Sequence, residues 1–385
     1  MKSSRITWLA FASVATVLGC GDRVLVGQQP SGVGAGATSA GAPPVNQAPP
    51  ASQTMQPPLP ATQAVPGTPP PSCPSTSPAQ FVSSSLGVIF SLAYSPDGQS
   101  VAGGLELPEP NQLRLWGSAD WTVSRSLRGQ GLPPDGVTYD IAFSPDSRIL
   151  ATGGIGAPGV EAVKLWEVAT GYLLPPIHSH AGASVDALAF SPDGSELVTA
   201  GTNGPLEIWR YADGVLLTSI PSSGTVHGVR FSPDGTRILT AQQEQVATIW
   251  RVTDGAKLVT LSGHTDEVMD AEFSPDGKEI ATSSYDHTVG LWDAASGELL
   301  ERLTGHSTPL THVRWIDQDH LASSDWRGTV ILWTRDASGA FTSSCSLSTV
   351  TASLGLAVSP DRTKLVASGS TDPNSQNPGF WIFPL

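Results

Sequence analysis

Six times along the chain a Leu or Ile is followed by Trp, at Trp116, Trp166, Trp209, Trp250, Trp292 and Trp333, and the intervals are 50, 43, 41, 42 and 41 residues. Ahead of the aromatic stands a second recurring signal. Ser-Pro-Asp-Gly occurs at 95–98, 191–194, 232–235 and 274–277, with the variants Ser144-Pro145-Asp146-Ser147 and Ser359-Pro360-Asp361-Arg362. Pro fixes φ at the second position and Gly relaxes the fourth, which suits a tight reversal between antiparallel strands. The flanks agree. Val268, Asp270 and Glu272 alternate with Met269, Ala271 and Phe273 before one turn, and Glu279 to Thr282 follow it. A third strand ends on the Trp, and a fourth is expected after each, as in Leu299 to Leu303. Such a unit cannot bury its faces alone, so successive units must stack on one another.

Short strands at regular spacing also fit a sandwich or a solenoid. The ends of the chain favour a ring. After Leu354 a seventh unit runs to Leu385 and stops at its third strand, where Phe383 takes the Trp position. Before the first complete unit stands a spare apolar segment, Gln80-Phe81-Val82. If that segment is the missing fourth strand of the seventh unit, both ends are satisfied and the ring has no open seam.

Residues 80–385 resemble a WD40-repeat β-propeller, and the resemblance implies an all-β, seven-bladed ring closed by an N-terminal strand. The family's buried network of His, Ser or Thr, Asp and Trp maps in full onto one repeat, as His264, Thr282, Asp286 and Trp292. Polar nitrogens inside an apolar blade need partners there. Asn203, Glu244 and Arg327 stand where Asp286 stands, and only Trp292-Asp293 is the literal dipeptide.

The first residues are of another kind. Lys2 and Arg5 precede an apolar stretch from Ile6 to Gly19, too short for a comfortable membrane span and organised as an export signal. It ends in Val17-Leu18-Gly19-Cys20, which resembles the lipobox of bacterial lipoproteins. That resemblance implies cleavage before Cys20, lipid on its thiol, and a periplasmic or surface-exposed protein anchored to a bacterial membrane; several acyl chains suffice for stable anchoring. An ordinary secretory signal is the alternative. Residues 1–19 are thus the signal peptide and 20–79 a tether rich in Pro, Ala, Gly and Ser. No Asp, Glu, Lys or Arg falls between Val24 and Pro96, and such a segment cannot gather the apolar area that offsets the entropy of ordering.

Loss of Lys2 and Arg5 with the signal takes the formal charge from −14 to −16. With no basic stripe to neutralise phosphates, this acidity argues against a nucleic-acid partner. His180, His264 and His306 occupy the recurrent place before a first strand. His178, His227, His287, His312 and His320 show no metal-ligand spacing. No nucleophile elbow, phosphate loop or cofactor motif occurs, so no catalytic residue, cofactor or metal is assigned. Cys73 lies seven residues before Gln80, and Cys345 falls in the outer strand of the sixth blade. An extended chain reaches roughly 3.3 Å per residue, so a Cys73–Cys345 disulfide is within reach; two free thiols are the alternative.

These readings favour a non-enzymatic scaffold for an unidentified protein partner. The alternative is an envelope enzyme or ligand-binding propeller with a site assembled across blades. Loop lengths indicate where a partner would dock. Pro192 to Trp209, Pro233 to Trp250 and Pro275 to Trp292 are each 17 residues apart, but the first, second and seventh blades give 20, 21 and 23. In a ring these three blades are consecutive. Their extra residues would raise one acidic sector containing Glu106, Glu109, Asn111, Glu161, Asp372 and Asn374, unless they are neutral loop drift.

Overall fold

The computed structural model describes residues 79–84, 87–105, 113–127, 138–155, 162–177, 184–222, 224–372, 374 and 377–385. They form seven antiparallel sheets arranged as blades. The innermost strands are Ile89–Tyr94, Thr138–Phe143, Ala187–Phe190, Val226–Phe231, Val268–Phe273, Leu310–Trp315 and Leu356–Val358, for blades 1 to 7. Each touches the next in sequence, and the last touches the first. The ring is closed as the sequence implied. Gln80–Ser83 forms the outer edge of blade 7, pairing Gln80 with Ile382, Phe81 with Trp381, Val82 with Phe380 and Ser83 with Gly379.

The turns between first and second strands show why their sequence recurs. In blade 5 the Ser274 hydroxyl donates to Asp276 (2.7 Å) and accepts from the Glu279 N–H (2.9 Å), while the Asp276 carboxylate accepts from the Lys278 N–H (3.1 Å). The fourth position is left-handed throughout: φ is 71° at Gly277, and Ser147 and Arg362 adopt 62° and 60° in its place. Blade 6 has no such Ser. There Ile316-Asp317-Gln318-Asp319 makes the reversal, with the Asp317 carboxylate accepting from the Asp319 N–H (2.8 Å).

Apolar side chains collect at the seams. Among the described residues there are seven clusters, one between each pair of neighbouring blades. At the seam of blades 4 and 5, Leu239, Ile249 and Leu261 pack against Val268, Phe273 and Trp292. Phe383 pairs with Leu365 just as Trp292 pairs with Ile280, so it fills the Trp position of blade 7.

One expectation fails. Among the described residues blade 2 has three strands, and where the fourth is expected an isolated bridge joins Trp166 to Leu173. The Leu174 N–H still reaches the Leu165 carbonyl (2.8 Å), but Pro175 and Pro176 follow. Neither has an N–H to donate, so the ladder ends there. Ile177 is nonetheless buried, as Ile220 is at the same place in blade 3.

Candidate functional site: the central channel and the loop face

Two regions gather the chemistry of the ring. The first is a cavity of about 620 Å³ at its centre, walled by innermost strands from all seven blades. The residue two before the turn lines it in every blade, as Ala93, Ala142, Ala189, Arg230, Glu272, Arg314 and Ala357. The residue four before the turn forms a deeper tier, Ser91, Asp140, Ala187, Gly228, Asp270, His312 and Gly355, of which Ser91, Asp140, His312 and Gly355 reach the cavity wall. Long charged side chains therefore come from blades 4, 5 and 6, and small residues opposite leave them room. A bulge in the strand, as between Val268 and Asp270, sets the deeper tier.

Asp270 is the centre of the charge network. It pairs with Arg314, accepts the Ala271 N–H (3.0 Å), and lies 3.8 Å from Arg230. Arg230 also stands 3.8 Å from Asp140 on blade 2, so the network crosses the channel. Asp140 accepts N–H groups from Ile141 (2.9 Å) and Leu188 (3.0 Å), and Glu272 accepts from Trp315 (2.9 Å). Burial pushes the carboxyls of Asp140 and Glu272 above the ordinary value. It pushes on Asp270 too, but there the charges of Arg314 and Arg230 prevail and hold the carboxyl below it. Burial likewise drives the His312 imidazole down to about 4, against the pull of Asp270. Its Nδ1 is buried and has no hydrogen-bond partner among the described residues.

The second region is the face that carries the connections between second and third strands. On blade 5 the expected network is assembled: His264 Nδ1 meets Asp286 (2.7 Å), its Nε2 meets Thr282 (2.7 Å), and the Trp292 indole N–H donates to the same Thr282 hydroxyl (2.8 Å). Gly290 is required beside them, because a Cβ there would stand 2.7 Å from Trp292 Nε1 and 2.8 Å from Thr282 Oγ1. Arg302 closes the outside, donating to Asp286 (3.2 Å) and Thr288 (2.9 Å).

The sequence placed this network in one blade, and the structure corrects that. Blade 6 has a second one, His306, Ser323, Asp325 and Trp333, with His306 Nδ1 at 2.9 Å from Asp325 and Trp333 donating to Ser323 (2.8 Å). Its carboxylate comes from the end of the second strand rather than from the turn, where Arg327 stands. Trp166, Trp209 and Trp250 also find Thr hydroxyls, at Thr152, Thr199 and Thr240.

The carboxylates pin the turns that follow. Asp286 accepts the N–H and hydroxyl of Thr288 (3.0 and 2.6 Å), and Asp325 accepts the N–H groups of Arg327 and Thr329 (2.9 Å each). Those turns present Tyr285 and Trp326, half-buried and edge to face at 6.4 Å, with Arg327 exposed beside them. Nothing in the sequence reading singled out this pair. The available signal was an aromatic at the same turn position in two consecutive repeats.

Of the residues singled out from sequence, Cys20, Cys73, Glu106, Glu109, Asn111 and Glu161 lie outside the described residues. Asp372 and Asn374 lie on the connection between second and third strands of blade 7. The Asp372 carboxylate accepts N–H groups from Asn374 and Asn377 (2.9 Å each), so it organises its own loop. Cys345 is buried in the outer strand of blade 6 and is disulfide-bonded. Among the described residues no group of three His, Cys, Asp or Glu side chains is arranged to hold a metal ion.

Residues 171–209, 255–293 and 297–334 match the family model described as WD domain, G-beta repeat. Each match runs from the outer edge of one blade through the third strand of the next. The chain is 31% identical over 122 residues to cilia- and flagella-associated protein 52 of Chlamydomonas reinhardtii, covering 31% of this chain and 18% of that protein. It is 28% identical over 153 residues to periodic tryptophan protein 2 of Arabidopsis thaliana, covering 39% of this chain and 15% of that one. The chain thus spans less than a fifth of either relative. The closed ring is a seven-bladed β-propeller, and three of its repeats are similar to the WD domain, G-beta repeat.

Proposed function

We propose that this protein is a non-enzymatic protein-interaction scaffold, exported and held at the cell envelope by lipid on Cys20. The observation that carries the scaffold reading is the aromatic pair Tyr285 and Trp326 with Arg327 at its side, on turns fixed by two buried carboxylates. Tyr, Trp and Arg are the side chains that dominate interface energetics, and a turn already fixed loses little entropy on docking. The partner's footprint extends in this reading to the longer loops of blades 7, 1 and 2, with Glu106, Glu109, Asn111, Glu161, Asp372 and Asn374. Cross-linked recovery of partners from native membranes tests it. Tyr285→Ala with Trp326→Ala should reduce recovery of a specific partner at least about tenfold while the circular dichroism spectrum stays unchanged. Full recovery by a correctly folded double variant overturns the surface. Anchoring is tested apart from this: Cys20→Ser should release the protein from the membrane fraction and abolish metabolic labelling by palmitate.

A second reading, a ligand held in the central channel, has one observation in its favour: a cavity with a buried His312 Nδ1 that has no hydrogen-bond partner among the described residues. A thermal-shift screen of small polar molecules, repeated on His312→Gln, would support it only if a stabilising compound loses its effect in the variant.

A further inference from the structure

We infer that the disulfide of Cys345 is made with Cys73 and that it converts the strand closure of the ring into a covalent one. Cys345 is disulfide-bonded, and the chain has three cysteines, so its partner is Cys20 or Cys73. The start of the described chain decides between them. Ala79 packs into the seam of blades 6 and 7 in one cluster with Leu332 and Leu347. Leu332 is the cross-strand partner of Cys345, and Leu347 lies two residues beyond it on the same strand. The chain therefore passes the outer part of blade 6 immediately before it enters blade 7. Cys73 is six residues from Ala79, a reach of up to roughly 20 Å. Cys20 is 59 residues away. With loop closure scaling as the three-halves power of length, the nearer thiol is favoured about thirtyfold.

Forming the bond removes two protons and two electrons from the two thiols. Thiolate attack on an oxidised dithiol carrier gives a mixed disulfide, the second thiolate displaces the carrier, and the carrier leaves as its reduced dithiol. Such carriers act in oxidising compartments. The consequence for the fold lies at blade 7, where the closing strand holds by only four residue pairs. A bond from Cys73 to Cys345 anchors the chain just ahead of that strand to the neighbouring blade. If the strand peels away, its free end stays beside its partner and re-pairs. The bond also encloses most of the ring in one covalent loop, which restricts the unfolded chain. None of this depends on what docks to the ring.

Digestion of the full chain without reduction, followed by mass spectrometry, should yield a linked pair of peptides containing Cys73 and Cys345. A Cys20–Cys345 pair, or free Cys73, overturns the assignment. Thermal unfolding supplies the second measurement. Reductant should lower the midpoint of the wild type by about 5 °C. Cys73→Ser should show the same drop and no further response to reductant, whereas Cys20→Ser should keep the wild-type midpoint. Cys345→Ser also disturbs a packed position, so Cys73→Ser is the decisive variant. A Cys73→Ser midpoint equal to that of the oxidised wild type means the closure is not locked by this bond.

Discussion

His306 Nδ1 stands 2.9 Å from the Asp325 carboxylate, although Asp325 occupies the strand position that Ser284 holds in blade 5, two residues ahead of Asp286. Both carboxylates reach the equivalent histidine because the turn between strands keeps one shape. Its last residue is left-handed in each case, His287 at 71° and Gly328 at 78°. The network is thus a property of the space beneath the turn, and either position can supply the charge.

Asp325 is fully buried, so replacing it should be costly. Burial pushes its carboxyl up, but the hydrogen bond and charge of His306, with the N–H groups of Thr329 and Arg327, hold it below the ordinary value. Asp325→Asn keeps the shape and loses the charge. We expect a loss of about 1–3 kcal/mol at neutral pH, read by urea denaturation. Unfolding at the wild-type urea concentration would show that the carboxylate contributes nothing beyond its shape.

Acid should weaken the ring in two windows. The turn carboxyls of Asp234, Asp276 and Asp361 are held at about 2, where the ordinary value is 3.8, with Ser hydroxyls and backbone N–H groups as donors. A depressed carboxyl favours the folded state above 3.8, and that gain is lost as pH falls toward about 2. His312 acts earlier. Its folded value of about 4 lies below the ordinary 6.5, so between 6.5 and 4 the unfolded chain takes up a proton that the folded channel refuses. Stability should decline across that window, where Asp270, Arg314 and Arg230 face the imidazole. His312→Gln should flatten the decline, and an unchanged slope between pH 6.5 and 4 would remove His312 as its cause.

Much of the fold was legible because its signals are local and repeated. The Ser-Pro-Asp turns, the Trp interval and the spare strand at Gln80 each demand one geometry, and together they demand a ring. The site was less legible. Arg230, Glu272 and Arg314 are unremarkable along the chain, and they become a cluster only when seven first strands are brought around one axis. Asp325 was not legible because the repeat pattern puts the carboxylate at the Asp286 position, whereas hydrogen bonding requires only that an oxygen reach His306. The missing fourth strand of blade 2 was readable, since Pro175 and Pro176 lack the N–H groups that a strand needs.

Blade 1 offers a test of how the Trp is seated. Five blades place a Thr or Ser hydroxyl against the indole N–H, and blade 7 pairs Phe383, which has no N–H, with a strand carrying Ala367 at that point. Blade 1 has Gly103 there. Trp116 is fully buried, and its Nε1 has no hydrogen-bond partner among the described residues. The indole fills the space instead: a Cβ on Gly103 would meet Trp116 Cζ3 at 2.9 Å. Gly103→Ala should therefore cost about 1–3 kcal/mol through overpacking. A neutral or stabilising result in thermal unfolding would mean that the Trp116 ring has room to move.

The cross-channel network should be strongly non-additive. Asp270 is the counter-ion that Arg314 and Arg230 share, and its side chain is 4% exposed. Asp270→Asn leaves two guanidinium groups facing each other, with Glu272 and, 3.8 Å from Arg230, Asp140 as the remaining acids. Removing one partner of a buried pair costs about 3–5 kcal/mol, because the other charge stays buried without compensation. Arg314→Met alone has a milder effect: it leaves Asp270 with Arg230 and the Ala271 N–H, so about 1–2 kcal/mol is expected. Combining Asp270→Leu with Arg314→Met removes both charges of the tight pair and fills the space with apolar atoms, and well-packed apolar replacements of buried pairs are often neutral. The double variant should then be more stable than Asp270→Asn, although it changes more atoms. Chemical denaturation at neutral pH measures all three. If the double variant is the least stable of the three, with losses that simply add, Asp270 and Arg314 act independently and the channel is not held by a shared charge network.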